Sequence, residues 1–280
     1  MTDANPSDSN SLTPDEKQFI NEARRFLENP SFLIRAANLV GKPLERGLKM
    51  LPAIVQSRIQ AAVRTSVERG LVLVTKSVKP VERTFTEASA ESRRKGLFHT
   101  AASFGTGALG GFFGVASLPI ELPVTTAIML RSIVSTAQDY GHDISDPEVQ
   151  LECLYVLSLG APNEPSSDET NAATEGFNSA YWTSRLAFTD LIRHAAREIE
   201  RSSAPFLVRF LATVASRFEL VVSEKALAEV LPVIGAIGGG TINAAFTDHF
   251  NKAARYHFGL RALERKYSEA IVRGNYLAKP

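Results

Sequence analysis

Cysteine is almost missing: Cys153 is the only one in 280 residues, so a single copy can form neither an internal disulfide framework nor a cysteine-based zinc site. An excess of charge is missing too. Thirty-one Lys and Arg face 30 Asp and Glu, a formal net charge of +1, and no nucleic-acid partner is expected from that balance. The opening MTDANPSDSN has no basic stretch followed by an apolar run, so no secretory signal is expected and a cytoplasmic location is the default. No HExxH or other compact ligand spacing, no GxxxxGK[ST] loop and no GxSxG elbow occur, so neither a metal nor a cofactor is expected. Sustained period-two alternation between turn signals is also missing, which argues against a β fold. With 44% hydrophobic and 22% charged residues the chain is ordinary globular material, long enough to bury a core.

What remains is helical periodicity. The spacing predicts an all-α, single multi-helix domain with glycine-rich central helices and a disordered leader over residues 1–12. Thr13, Pro14 and Glu16 spell a capping box with proline at the first helical position, and Phe19, Ile20, Ala23, Phe26 and Leu27 follow on one face. Asn29-Pro30 ends that helix. Over residues 43–78, Leu44, Leu48, Leu51, Val55, Ile59, Ala62 and Val63 recur at three- and four-residue steps. From Lys42 to Lys79 eight Lys or Arg face only Glu45 and Glu68, so the other faces of this helix are basic. Such a surface suits either the solvated outside of a bundle or contact with anionic lipid headgroups. Further helices are expected over residues 82–94, 122–139 (Val124, Ile128, Leu130, Ile133, Val134 and Ala137 inward), 147–160, 181–201, 206–230 and 243–267. Gly141 is expected as a left-handed C-cap, and Asp146-Pro147 marks a start. A mobile polar insertion is expected at about 161–179, and a tail over 268–280 that frays after Arg273.

Two stretches lack both charge and bulk. Residues 97–120 carry Gly107, Gly110, Gly111 and Gly114 at four-residue pairings, and residues 231–240 carry Gly235 and Gly239 in the same relation. That step strips one helix face so that two backbones can approach. Each helix-interior glycine costs about 1 kcal/mol relative to alanine, so dense packing of the two segments on each other is expected as the offset. The first stretch is also long enough to test against a bilayer span, but His99, Pro119 and its glycine content favour a protein interior.

At these residues the chain resembles the EcsC family of bacterial proteins. The likeness is carried by GALGGFFGVASLPIELPVTTAIMLRSI, by YGHDISDPEVQLECLYVLSLG and by LPVIGAIGGGTINAAFTDHFNKAARYHFGLRALERKY, and spans about residues 49–267, after N-terminal helices over 13–48. The family is named for a gene beside an ABC transporter operon. The resemblance therefore implies association with membrane transport or secretion, and an acidic residue between the two Leu-Pro steps, here Glu121. It implies no reaction, cofactor or catalytic residue.

Glu121 is the single charge between Lys95 and Arg131, set in Leu118-Pro119-Ile120-Glu121-Leu122-Pro123. A carboxylate in that company needs a cation or hydrogen bonds, or keeps its proton. One reading makes it a helix N-terminal carboxylate held by free N–H groups; another makes it a functional acid or base. Arg131 is expected in a structural ion pair with Asp248 or Glu264. On the last long helix His257 and Arg261 share a face, and Arg261 and Glu264 are spaced to pair. Cys153 is expected to be buried and inert. Trp182, beside Tyr181, suits an interfacial anchor or a core edge. The expected function is an accessory or interaction protein at the inner membrane face, with lipid headgroups or a membrane transport protein as partner. The alternative is a hydrolase that gathers Glu121, Asn243 and His249 at an open cavity.

Overall fold

A computed structural model describes residues 11–28, 52–76, 87, 118–159, 179–199, 204–230 and 239–278. These residues form α1 (Pro14–Leu27), α2 (Ala53–Thr75), α3 (Leu118–Asp139), α4 (Pro147–Tyr155), a 3-10 turn (Val156–Ser158), α5 (Ala180–Ala196), α6 (Pro205–Val230), α7 (Gly239–Tyr267) and α8 (Glu269–Leu277). No strand occurs among the described residues, so the all-α class holds. The leader over residues 1–10, the helix over 82–94, the insertion over 161–178 and the glycine stretches over 97–117 and 231–238 lie outside the described residues. Gly107, Gly110, Gly111, Gly114 and Gly235 lie there too, and Gly239 opens α7.

Local signals start and stop the helices where chemistry requires. Thr13 Oγ1 accepts the Glu16 N–H at 3.3 Å while the Glu16 carboxylate accepts the Thr13 N–H at 2.8 Å, satisfying two orphan donors of α1 reciprocally. Asp146 caps α4 through the Glu148 N–H at 2.8 Å. Gly141, at φ 71°, ends α3 with its N–H on the Gln138 carbonyl and the His142 N–H on Ala137. Two caps come from elsewhere in the chain. Glu28, just past α1, accepts the Ala180 N–H of α5 at 2.8 Å, and Glu198 accepts the Phe206 and Leu207 N–H groups of α6 at 2.7 and 3.0 Å.

α3 begins four residues earlier than its periodicity indicates and runs through Pro123, which takes one rung from the hydrogen-bond ladder near its start. Leu118, Leu122, Met129, Leu130, Ile133 and Ala137 form its buried stripe. Val124, expected inward, is 49% exposed, because it lies about 200° around the helix from Leu122.

α7 is the central element. α1, α3, α6 and α8 pack directly on it, and side chains of α4 and α5 reach it. Phe246, Phe250, Ala253, Ala254, Phe258, Leu260 and Leu263 are fully buried along its length. Gly259 leaves room for the ring of Phe19 from α1: a β-carbon there would stand 2.3 Å from Phe19 Cζ. α3 and α7 run parallel, joined near their starts by Glu121 and Asn243 and near the end of α3 by the Tyr140 carbonyl and Arg265. α2 lies across α3, α4 and α6.

The expected frayed tail is instead helical to Leu277. Val272 and Tyr276 are buried, the Tyr276 hydroxyl donates to Glu28 at 2.9 Å, and Arg24 donates to the carbonyls of Tyr276 and Ala278, so apolar burial and charged hydrogen bonds hold α8 against α1. Trp182 is core as well. It is 1% exposed, edge-on to Tyr276, with the Arg185 guanidinium 4.6 Å from its ring centroid, which removes the interfacial-anchor reading.

Candidate functional site

The first of two buried polar clusters centres on Glu121, in the first turn of α3. Its Oε1 accepts from Lys225 Nζ of α6 at 2.9 Å and from Asn243 Nδ2 of α7 at 2.7 Å. The carboxylate is thus held by side chains of two other helices. The Lys225 side chain has no exposed surface and that of Glu121 only 8%, so the pair gives up nearly all its hydration and depends on its own geometry. Asn243 Oδ1 and the hydroxyls of Thr125 and Thr247, each one turn further along α3 and α7, are buried and make no hydrogen bond among the described residues.

The second cluster ties α4 and α5 to α7. His257, Arg261 and Glu264 share one face of α7. Arg185 of α5 grips Glu264 with both guanidinium ends, Nη2 at 2.6 Å from Oε2. Arg261 reaches Glu264 at 3.5 Å and Glu152 of α4 at 2.9 Å. Burial pushes the Glu152 carboxyl up, but His257 and Arg261 outweigh it and hold it down at about 2. Burial lowers the His257 pKa against the opposing pull of Glu152; its Nδ1 lies 3.0 Å from the Tyr181 hydroxyl, and its Nε2 stands 3.8 Å from Glu152. Two arginines and two carboxylates balance. That is the arrangement of a network that fixes three helices in register.

A related contact closes the far end of α3. His142 is buried, and burial together with the neighbouring Arg265 lowers it to about 3. Arg265 Nη1 donates to its Nδ1 at 2.8 Å, leaving Nε2 to donate to the Phe258 carbonyl at 3.1 Å.

Of the residues singled out from sequence, Glu121 and Asn243 meet. His249 does not join them: its Nε2 faces the Leu159 carbonyl at 3.3 Å, and its ring lies between Phe26 and Phe250. Asp248 pairs with Lys252 at 2.6 Å one turn on, and Glu264 is taken by Arg185 and Arg261. Arg131 therefore pairs with neither expected acid. It is exposed beside a groove between α2 and α3. Cys153 is buried, and burial pushes its thiol well up, so it is inert. Lys225, Glu152 and Arg185 were missed in sequence, although each is a charge on an apolar helix stripe. No three His, Cys, Asp or Glu side chains gather as a metal site among the described residues.

α3 is also the one described helix long and apolar enough to cross a membrane, but 56% of its apolar window is buried inside the protein. A family model covers residues 16–263. The chain belongs to the EcsC protein family. The match reaches further toward the N-terminus than the sequence blocks do, taking in most of α1, and it contains Glu121, Lys225 and Asn243 together with Glu152, Arg185, His257 and Arg261. No curated protein and no solved structure gives a significant match to this EcsC-family chain.

Proposed function

We propose that this EcsC-family protein is an accessory or interaction protein that works at the inner face of the membrane, in connection with transport or secretion. The observation that carries the reading is the outer surface of α2. There Arg58, Arg64, Arg69 and Lys76 are exposed against the single carboxylate of Glu68, and Ile54 and Val72 are exposed among them. A net excess of three cations near an anionic leaflet contributes about 3 kcal/mol at roughly 1 kcal/mol per charge. That favours a reversible, salt-sensitive contact over a permanent anchor. The hydrolase reading has no comparable support, since Lys225 and Asn243 both hold the Glu121 carboxylate, and His249 lies elsewhere.

Cosedimentation with phosphatidylcholine vesicles, with and without phosphatidylglycerol, tests the proposal. Binding is expected only with the anionic lipid and should fall steeply between 50 and 300 mM salt, concentrations chosen to span the change in Debye length from about 14 to 6 Å. Equal recovery with both vesicle types would remove the electrostatic basis of the reading. Copurification from native membranes then tests the link to transport.

A further inference from the structure

The faces of α2 and α3 that turn toward one another at the surface share a pattern. Arg69, Val72, Leu73 and Lys76 follow at i, i+3, i+4 and i+7 on α2, and Arg131, Val134, Ser135 and Gln138 do so on α3. Together they line an open groove of about 710 Å³, within the roughly 300–1,000 Å³ of small-molecule sites. Its floor is aliphatic and its rim carries three cations, with no carboxylate among the described lining residues.

Several exposed cations have an acid one turn away and use it, as in Arg64 with Glu68, Arg193 with Asp190 and Lys252 with Asp248. Arg69, Lys76 and Arg131 make no ion pair among the described residues. Three like charges around one groove repel one another, and an anion placed between them relieves that repulsion. Val72, half exposed at 51%, supplies with Leu73 and Val134 an apolar surface that an inorganic anion would leave uncovered.

We infer that this groove binds the phosphate headgroup of an anionic glycerophospholipid, with Arg69, Lys76 and Arg131 around the phosphate and the first carbons of an acyl chain over Val72, Leu73 and Val134. The inference deepens the membrane-face reading and rests on it for the source of the ligand. Arginine suits this role because its planar fork meets two phosphate oxygens at once.

The test uses the full chain and dihexanoyl phosphatidylglycerol kept below its micelle concentration, followed by calorimetric titration, with glycerophosphoglycerol as the same phosphodiester anion without chains. The lipid should bind at least about tenfold more tightly than glycerophosphoglycerol, a difference of one decade in Kd. Arg131→Glu and Arg69→Glu should each weaken lipid binding by about tenfold or more, whereas Arg209→Glu, on the exposed surface of α6, should leave it unchanged. Arg131→Gln, which introduces no repulsion, serves as the milder variant, and unchanged melting of each variant shows that it folds. Equal affinity for the two ligands would overturn the lipid assignment in favour of a free phosphate ester. No binding by the wild type, or wild-type affinity in folded Arg131→Glu and Arg69→Glu, would overturn the groove itself. Binding of the short-chain lipid without any binding to vesicles would uphold the groove and defeat the membrane-face reading.

Discussion

Replacing Lys225 with methionine removes the cation that faces Glu121 while keeping the volume of the side chain. The pair is 2.9 Å apart, with side-chain exposures of 0% and 8%, so water cannot replace the lost partner. The stranded carboxylate keeps only Asn243 among the two contacts described above. Breaking a buried pair from one side costs about 3–5 kcal/mol. At roughly 2–4 °C per kcal/mol for chains of about this size, Tm should drop by about 6–20 °C. Glu121→Gln, which strands the lysine instead, should cost a similar amount. The double variant should be less damaged than the two losses added together, with a coupling of about 2–3 kcal/mol. Denaturant unfolding of the four proteins at pH 7 measures the cycle. A repeat at pH 4 adds a signature, because the stranded carboxyl in Lys225→Met can then take up a proton and part of the loss should disappear. Additive losses at pH 7, or a Lys225→Met protein as stable as wild type, would refute the view that α3, α6 and α7 are locked together by this contact.

Acid should weaken the fold in two stages. The unfolded His142 imidazole takes a proton near 6.5 and the folded one resists to about 3, so its contribution is complete above pH 6.5 and is lost as pH falls; at 1.36 kcal/mol per pH unit, going from 6.5 to 4.5 costs about 3 kcal/mol. Glu152, held down at about 2 against an ordinary 4.5, adds a second loss over that lower window. Unfolding free energies measured across pH 3–8 should show a slope beginning near 6.5 that His142→Gln makes shallower, the buried His257 supplying part of the remainder; a flat profile in the wild type contradicts the buried neutral imidazole of His142. Gly259→Ala should destabilise by about 1–3 kcal/mol through the clash with Phe19, whose ring is flanked by Tyr140 and Tyr256. Gly274→Ala in α8, where a β-carbon meets nothing within 4 Å, should instead stabilise by up to about 1 kcal/mol, and thermal melts of the two variants read the contrast directly. Thr13→Ala should cost about 1 kcal/mol by opening the capping box, with loss of helicity at the start of α1 as the spectroscopic sign.

The helices were legible because their ends are written in short-range chemistry. Thr13 with Glu16, Asp146 with Pro147 and the left-handed Gly141 act within a few residues of where they stand, so no tertiary knowledge is needed to place them. α3 shows the limit of that reasoning. Pro123 looks like a boundary, yet the helix passes through it, because burial of Leu118 and Leu122 and the contacts of Glu121 offset a missing rung. The tail misled for the same reason: Tyr276 reads as polar frayed chain until Glu28, 248 residues earlier, is seen to accept its hydroxyl.

Half of the Glu121 cluster was legible and half was not, and the difference is one of contrast. Glu121 stands out as a lone charge in apolar sequence. Lys225 follows Glu224 in a helix full of alternating faces, so it passes for a solvated lysine. A signal was nevertheless present: Phe218, Val221, Val222 and Lys225 fall at i, i+3, i+4 and i+7, and the first three are fully buried. Arg185 hides in the same way behind Tyr181, Trp182 and Phe188. Arg131 is the converse case, a cation expected to find an acid within the chain. Both candidate acids are satisfied by nearer cations, Asp248 by Lys252 and Glu264 by Arg185 and Arg261. Pairing inside this molecule is therefore decided by proximity along and between the helices of its core, and three cations that make no ion pair among the described residues, Arg69, Lys76 and Arg131, line one groove, where the proposed phosphate would balance them.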